Sequence, residues 1–299
     1  MQTQSRARGI VGAIQLAVLA LLVLGALNYQ ALLDQYALAT FHPAADVAAI
    51  DSHLGLTQLA MAKLYRAQPQ IDDKTSFNKD CQTQPHELEL GCYFHGRIYI
   101  LKIDNQSLAS EMDVVMAHEL LHAIWNDMSG SERQQVGDEL EKVYAGSNDQ
   151  DLKARMAGYA QSEPGEETNE LHSILGTEVA TLTPALEAHY AKYFSDRATI
   201  VAAHAQYQGV FNDRRAELEN ELAQIRAEKG QLAVLNRQLE SLRTSGQIDA
   251  YNALVPRQNA MVDDINRQID VYRQGVDEYN ALSKSLDSQQ ITDTEPTAQ

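Results

Sequence analysis

His118-Glu119-Leu120-Leu121-His122 carries more chemistry than any other stretch of the chain. On a helix, histidines four apart point the same way about one turn along, so both imidazoles can reach one divalent cation. Glu119 stands next to the first histidine and can flank that cation without binding it, where a general base acting on an activated water is needed. The flanks predict a helix. Ser110-Glu111-Met112-Asp113 reads as a capping box with Ser110 as N-cap. Met112, Val115, Met116, Ala117, Leu120, Leu121, Ile124 and Trp125 then form a wide apolar surface, and Asn126-Asp127-Met128-Ser129-Gly130 stops the run. Histidines in so apolar a helix are costly to bury without a partner.

Upstream, Leu88-Glu89-Leu90-Gly91-Cys92-Tyr93-Phe94 and Arg97-Ile98-Tyr99-Ile100-Leu101-Lys102-Ile103 read as two strands joined by a His95-Gly96 hairpin turn. Downstream, Glu166 to Glu178 is acidic and helix-compatible, and it contains Asn169-Glu170-Leu171-His172-Ser173. Strand, HELLH helix and NELHS segment together resemble the gluzincin metallopeptidases. In that family the third ligand is a glutamate on a later helix. It is often preceded by Asn and followed three residues on by Ala or Ser, which lets the two helices approach closely.

The resemblance spans about residues 85–195. It implies a zincin-like domain with an edge strand above the metal that pairs with an extended peptide substrate. It also implies a Zn²⁺ cofactor held by His118, His122 and a glutamate, with Glu119 as general base and His172, Tyr159 or Tyr190 assisting the oxyanion. His172 is a further candidate for ligand; Glu170 is the first choice of third ligand and Glu178 the alternative. The two lie about 80° apart around a helix and roughly 12 Å along it, so both would not bind one metal. The gap from His122 to Glu170 is longer than in the thermolysin-like members. Residues 131–160 fill it, with one helix starting at Ser131-Glu132-Arg133-Gln134 and another near Gln150-Asp151-Leu152-Lys153.

Ile10 to Leu27 is an apolar run broken only by Gln15, with Arg6 and Arg8 before it and no basic residue after it until Lys63. It is about long enough to span a bilayer, and the charge bias places residues 1–9 in the cytoplasm. An uncleaved signal anchor is favoured over a cleaved signal peptide, because no Ala-x-Ala site follows the run. The expectation is a single-pass protein of the cell membrane whose remainder is extracytoplasmic. Cys81 and Cys92, the only two cysteines, fit that compartment as a disulfide closing a small loop; buried free thiols are the other reading.

A net charge of −17 and the lack of a basic patch exclude nucleic-acid binding. No phosphate-cradling glycine loop or G-x-S-x-G motif is present. Residues 28–184 are expected to form the zincin-like domain, with helices over 46–66. Residues 185–287 are expected to form an antiparallel coiled-coil hairpin. Leu218, Leu222, Ile225, Leu232, Leu239 and Leu242 mark the first seam, which Lys229 and Asn236 interrupt, and Thr244-Ser245-Gly246-Gln247 is the turn. The second helix, firm from Pro256, carries Met261, Ile265, Ile269 (or Val262), Tyr272, Val276, Tyr279 and Leu282 on one side. Ser288 to Gln299 reads as a polar, disordered tail.

The fold class expected is mainly α (α+β), with a small antiparallel sheet. The function expected is zinc-dependent peptide hydrolysis in the cell envelope, on a substrate the sequence does not name. The other function considered is a non-catalytic envelope scaffold that binds a protein partner, or a second copy, through the hairpin.

Overall fold

The computed structural model describes residues 28–81 and 90–288, with Leu19, Val23 and Gly25 alone upstream. The predicted anchor, Ile10 to Leu27, otherwise lies outside the described residues, as does the predicted tail beyond Ser288, itself buried. Among the described residues no helix is long and apolar enough to cross a membrane.

In chain order the elements are α1 (Tyr29–Thr40), α2 (Ala45–Leu54), α3 (Gln58–Arg66), β1 (Gln70–Asp72), α4 (Lys74–Cys81), β2 (Gly91–Phe94) and β3 (Arg97–Leu101). There follow α5 (Glu111–Asp127), α6 (Gly130–Gly146), α7 (Gln150–Ser162), α8 (Glu167–Glu178), α9 (Pro184–Tyr190), α10 (Arg197–Thr244) and α11 (Ile248–Leu286). Among the described residues the protein is mainly helical with one small sheet, and the chain divides into two compact units.

The first unit comprises residues 1–84, 89–102 and 112–202. Its sheet has the order β1-β3-β2. β2 and β3 form the expected hairpin, pairing Gly91 with Ile100 and Phe94 with Arg97. His95 and Gly96 both have positive φ (50° and 77°), which a two-residue turn matching the strand twist requires. β1, parallel to β3 with Ile71 opposite Ile100, is an addition to the expected hairpin; three residues are too short to show an alternating pattern.

Cys81, the last residue of α4, is disulfide-bonded to Cys92 on β2. Phe77, Cys81 and Leu101 pack beneath this corner, with Leu90, Cys92 and Tyr99 against them. Burial of Leu186, Tyr190 and Phe194 carries the unit past residue 185, where the sequence pattern starts the appendage.

α5 is buried along most of its length, as its apolar surface requires. Its start differs from expectation. Ser110 Oγ is buried and makes no hydrogen bond, so the capping box is not formed, and Asp113 instead meets His53 Nδ1 at 3.1 Å. The capping box lies one helix later, where Ser129 and Glu132 open α6. In α8 every residue from Glu170 to Thr177 is buried. Helices buried on all sides need small residues where they touch. A Cβ at Gly176 would stand 2.4 Å from Leu121 Cδ1 on α5.

The second unit comprises residues 85–88, 103–111 and 203–299 and contains the long hairpin of α10 and α11. Ser245, Gly246 and Gln247 make the turn, as expected. Arg214 pairs with Glu278, Asn236 Oδ1 accepts from Gln258 Nε2 at 2.7 Å, and Phe211 meets Tyr279 edge-on, all in one antiparallel register. The inward positions of α10 run through Phe211, Arg214, Leu218, Glu221, Ile225, Glu228, Leu232, Leu235, Leu239 and Leu242, alternating steps of three and four. Lys229 and Asn236, expected in the seam, are exposed, and Glu228 and Leu235 take those places. α11 starts at Ile248 rather than at Pro256, which sits inside it. The Asn252 residue whose carbonyl the proline leaves unbonded is exposed, so water can take over.

Candidate metal centre

α5 presents His118 and His122 on one face, and α8 brings Glu170 to it. Glu170 Oε1 stands 3.4 Å from His122 Nε2, and Oε2 stands 3.6 Å from His118 Nε2. These separations are long for hydrogen bonds. They are close to the edge, about 3.3 Å, of a tetrahedron of N and O ligands around a zinc-sized ion. The donor atoms of His118, Glu119 and His122 also lie within 4.8 Å of one another. Two imidazoles and a carboxylate, converging from two helices in a mostly buried site, form a donor set that fits Zn²⁺.

Asn169 fixes the orientation of the second histidine. Its Nδ2 donates to Glu166 Oε2 at 3.1 Å, leaving Oδ1 to accept from His122 Nδ1 at 3.0 Å. His122 therefore carries its proton on Nδ1 and turns the Nε2 lone pair toward the cluster, the arrangement usual for a metal-binding histidine. Tyr159 on α7 hydrogen-bonds Glu170. Burial, reinforced by the Glu170 charge, raises the Tyr159 pKa, so its hydroxyl stays a donor.

The electrostatics favour positive charge between these groups. Burial opposes a charge on His118, yet its contact with Glu170 and the charges of Glu119, Glu170 and Glu178 outweigh that and lift its pKa to about 9. Burial, with the nearby His118, lowers that of His122 despite Glu170. Burial would raise the Glu170 pKa, but His122, His118 and Tyr159 together lower it, and it is held ionised.

Glu119 is buried on the side facing β2. A Cβ at Gly91 would stand 2.9 Å from Glu119 Oε1 and 2.4 Å from Val115 Cγ1, so only glycine lets the strand lie this close. A cavity of about 470 Å³ opens there, lined by Gly91, Cys92, Tyr93, Phe94, His118, Glu119, His122, Tyr159, Glu163, Glu166 and Glu170 among others. Successive strand residues all line it, so the strand presents its edge as well as a face. Among the described residues that edge has no strand partner.

Other expected residues lie elsewhere. Glu178 is engaged by Arg155, at 3.1 Å to Nη1 and 2.5 Å to Nη2, and does not line the cavity. His172, expected to assist catalysis, is fully buried and does not line the cavity. Two residues after Glu170, it lies about 200° around the helix. There it meets His189 Nε2 at 2.9 Å and stacks near Trp125 and Tyr190. Tyr190 is also buried, donating its hydroxyl to the His172 carbonyl, so of the three oxyanion candidates only Tyr159 lines the cavity.

Sequence reasoning missed Gly91, whose role depends on a contact between strand and helix, and the Arg155 partner of Glu178. The Asn of NELHS was visible, but not what it holds. Compared with family models, curated proteins and solved structures, the chain matches none.

Proposed function

We propose that this protein is a zinc-dependent metallopeptidase, tethered to a membrane through Ile10–Leu27 and acting outside the cytoplasm. One observation carries the reading: the Glu170 carboxylate stands 3.6 and 3.4 Å from the Nε2 atoms of His118 and His122, the spacing of ligands that share one metal ion, with a second carboxylate, Glu119, beside them. His118, His122 and Glu170 would hold Zn²⁺, which supplies Lewis acidity toward a peptide carbonyl and an attacking water. Glu119 takes the proton from that water as the carbon–oxygen bond forms. It returns the proton to the amine nitrogen as the peptide carbon–nitrogen bond breaks. Tyr159 can turn its hydroxyl from Glu170 toward the negative oxygen that develops in the cavity. The edge of β2, which no described strand pairs with, suits an extended peptide whose backbone would pair with it above Glu119.

The disulfide between Cys81 and Cys92 agrees with an oxidising compartment. Glu119→Gln tests the mechanism. The variant should bind zinc with the stoichiometry of the parent and lose peptide hydrolysis by about 10²-fold or more. If the parent binds no zinc, or hydrolysis survives the change, the peptidase reading fails. The scaffold function of the hairpin would then stand in its place.

A further inference from the structure

Helix α1 has a face that no described residue of its own unit covers. Tyr29, Leu32 and Tyr36 are 59, 57 and 68% exposed, and their spacing sets them on one stripe. The opposite face carries the buried Asp34 and Ala37. From Asn28 to Ala45 the only acidic or basic residue besides His42 is Asp34, in a chain of net charge −17. That one charge faces inward. Asp34 Oδ2 is 2.7 Å from Lys63 Nζ and Oδ1 is 3.1 Å from Arg66 Nη1. Lys63 and Arg66 in turn hold Asp127, the last residue of α5. α1 is thus clamped through α3 to the metal helix, five residues and about 8 Å beyond His122.

The sequence before α1 indicates what lies against this stripe. The apolar run Ile10–Leu27 ends two residues before Tyr29, and within it Leu19 and Val23 are also exposed. A helix that follows a membrane anchor this closely emerges at headgroup depth, where tyrosine with its apolar ring and polar tip is well placed. A face free of carboxylates avoids repulsion from anionic lipid, which the rest of so acidic a chain would feel.

We propose that the Tyr29, Leu32 and Tyr36 face of α1 lies in the lipid headgroup region of the bilayer, seating the first unit on the membrane surface. This rests on the membrane-anchored reading above. Through the Asp34–Lys63–Arg66–Asp127 clamp it fixes the metal helix to the membrane, so the substrates are polypeptide segments close to the bilayer.

The test uses the full chain in vesicles of phosphatidylcholine and phosphatidylglycerol, with benzoylphenylalanine replacing Leu32, Tyr36 or, as a control, the exposed Asn148. Each sample is washed with alkaline carbonate, irradiated and analysed by mass spectrometry. Retention through the wash with phospholipid adducts at 32 and 36, and few at 148, is the expected result. Retention without adducts, or with cross-links from 32 and 36 to a second copy, overturns the seating of α1 and leaves the anchor standing. Release by carbonate overturns both.

Discussion

At the scale of single residues, two glutamates on α8 differ only in what they face. Glu170 faces two imidazoles, while Glu178, two turns on, faces the Arg155 guanidinium. Glu170→Ala should therefore weaken zinc binding by more than the roughly 10–100-fold that loss of an orienting residue costs, and Asn169→Ala should fall within that range. Glu178→Gln should leave zinc content unchanged and instead cost about 1 kcal/mol of stability or less, because the Arg155 side chain that loses its partner is partly exposed. The reverse pattern in a zinc titration would make Glu178 the ligand.

A second residue-scale consequence concerns pH. Burial, aided by Lys192, lowers the pKa of His189 to about 4, and burial lowers its partner His172 in the same direction. The folded value lies below the unfolded one, so the unfolded chain takes up the proton first. The contribution is complete above about pH 6.5 and is lost as pH falls toward about 4, up to roughly 3 kcal/mol. Urea unfolding at neutral pH and near pH 5 should show this loss, and His189→Leu should reduce the difference. An unchanged difference would mean that other groups set the acid sensitivity.

At the scale of elements, the fold was legible where local chemistry decides it. The hairpin turn at His95-Gly96 and the start of α7 at Gln150 follow from short-range rules, and both are found. Glu170 was legible only through the resemblance of Asn169-Glu170-Leu171-His172-Ser173 to the gluzincin pattern, in which a small residue three positions on lets the two helices approach. Ser110 was misread because a capping pattern competes with whatever tertiary contact its neighbours prefer, here Asp113 with His53. β1 and the descent of β2 onto α5 were not legible, since they depend on contacts distant in sequence. Gly91 is the clearest case. Gly91→Ala forces Val115 and Glu119 aside, and it should lower kcat at least about tenfold while zinc content holds. Gly96→Ala strains the turn at φ 77° and costs about 1 kcal/mol, with kcat unchanged. Equal kcat for the two variants would show that β2 does not position Glu119.

At the scale of the whole molecule, the two units are built on different principles. The first is held by buried side chains from many elements around a polar centre. In the second, a repeating seam zips two long helices, and only the pattern of threes and fours was needed to foresee it. Its errors were of register. Glu221 and Glu228 are poor seam residues, so only the alternate positions were placed one residue late, at 222, 229 and 236 instead of 221, 228 and 235, while Leu218, Ile225, Leu232, Leu239 and Leu242 stand where expected. At Gly275 the side chains of α10 leave no room for more: a Cβ there would stand 2.8 Å from Leu218 Cδ2 and 2.9 Å from Arg214 Nη2, the arginine that pairs with Glu278. Gly275→Leu should push the helices apart and cost about 1–3 kcal/mol, as overpacking does. Gly230→Ala, where a Cβ meets nothing within 4 Å, should add about 1 kcal/mol through helix propensity alone. Thermal melts followed by far-ultraviolet circular dichroism should show the hairpin transition falling in the first variant and rising in the second. Zinc content should stay the same in both, because His118, His122 and Glu170 belong to the first unit. Loss of zinc in Gly275→Leu at temperatures where the parent keeps it would mean that the metal centre depends on the hairpin for its stability.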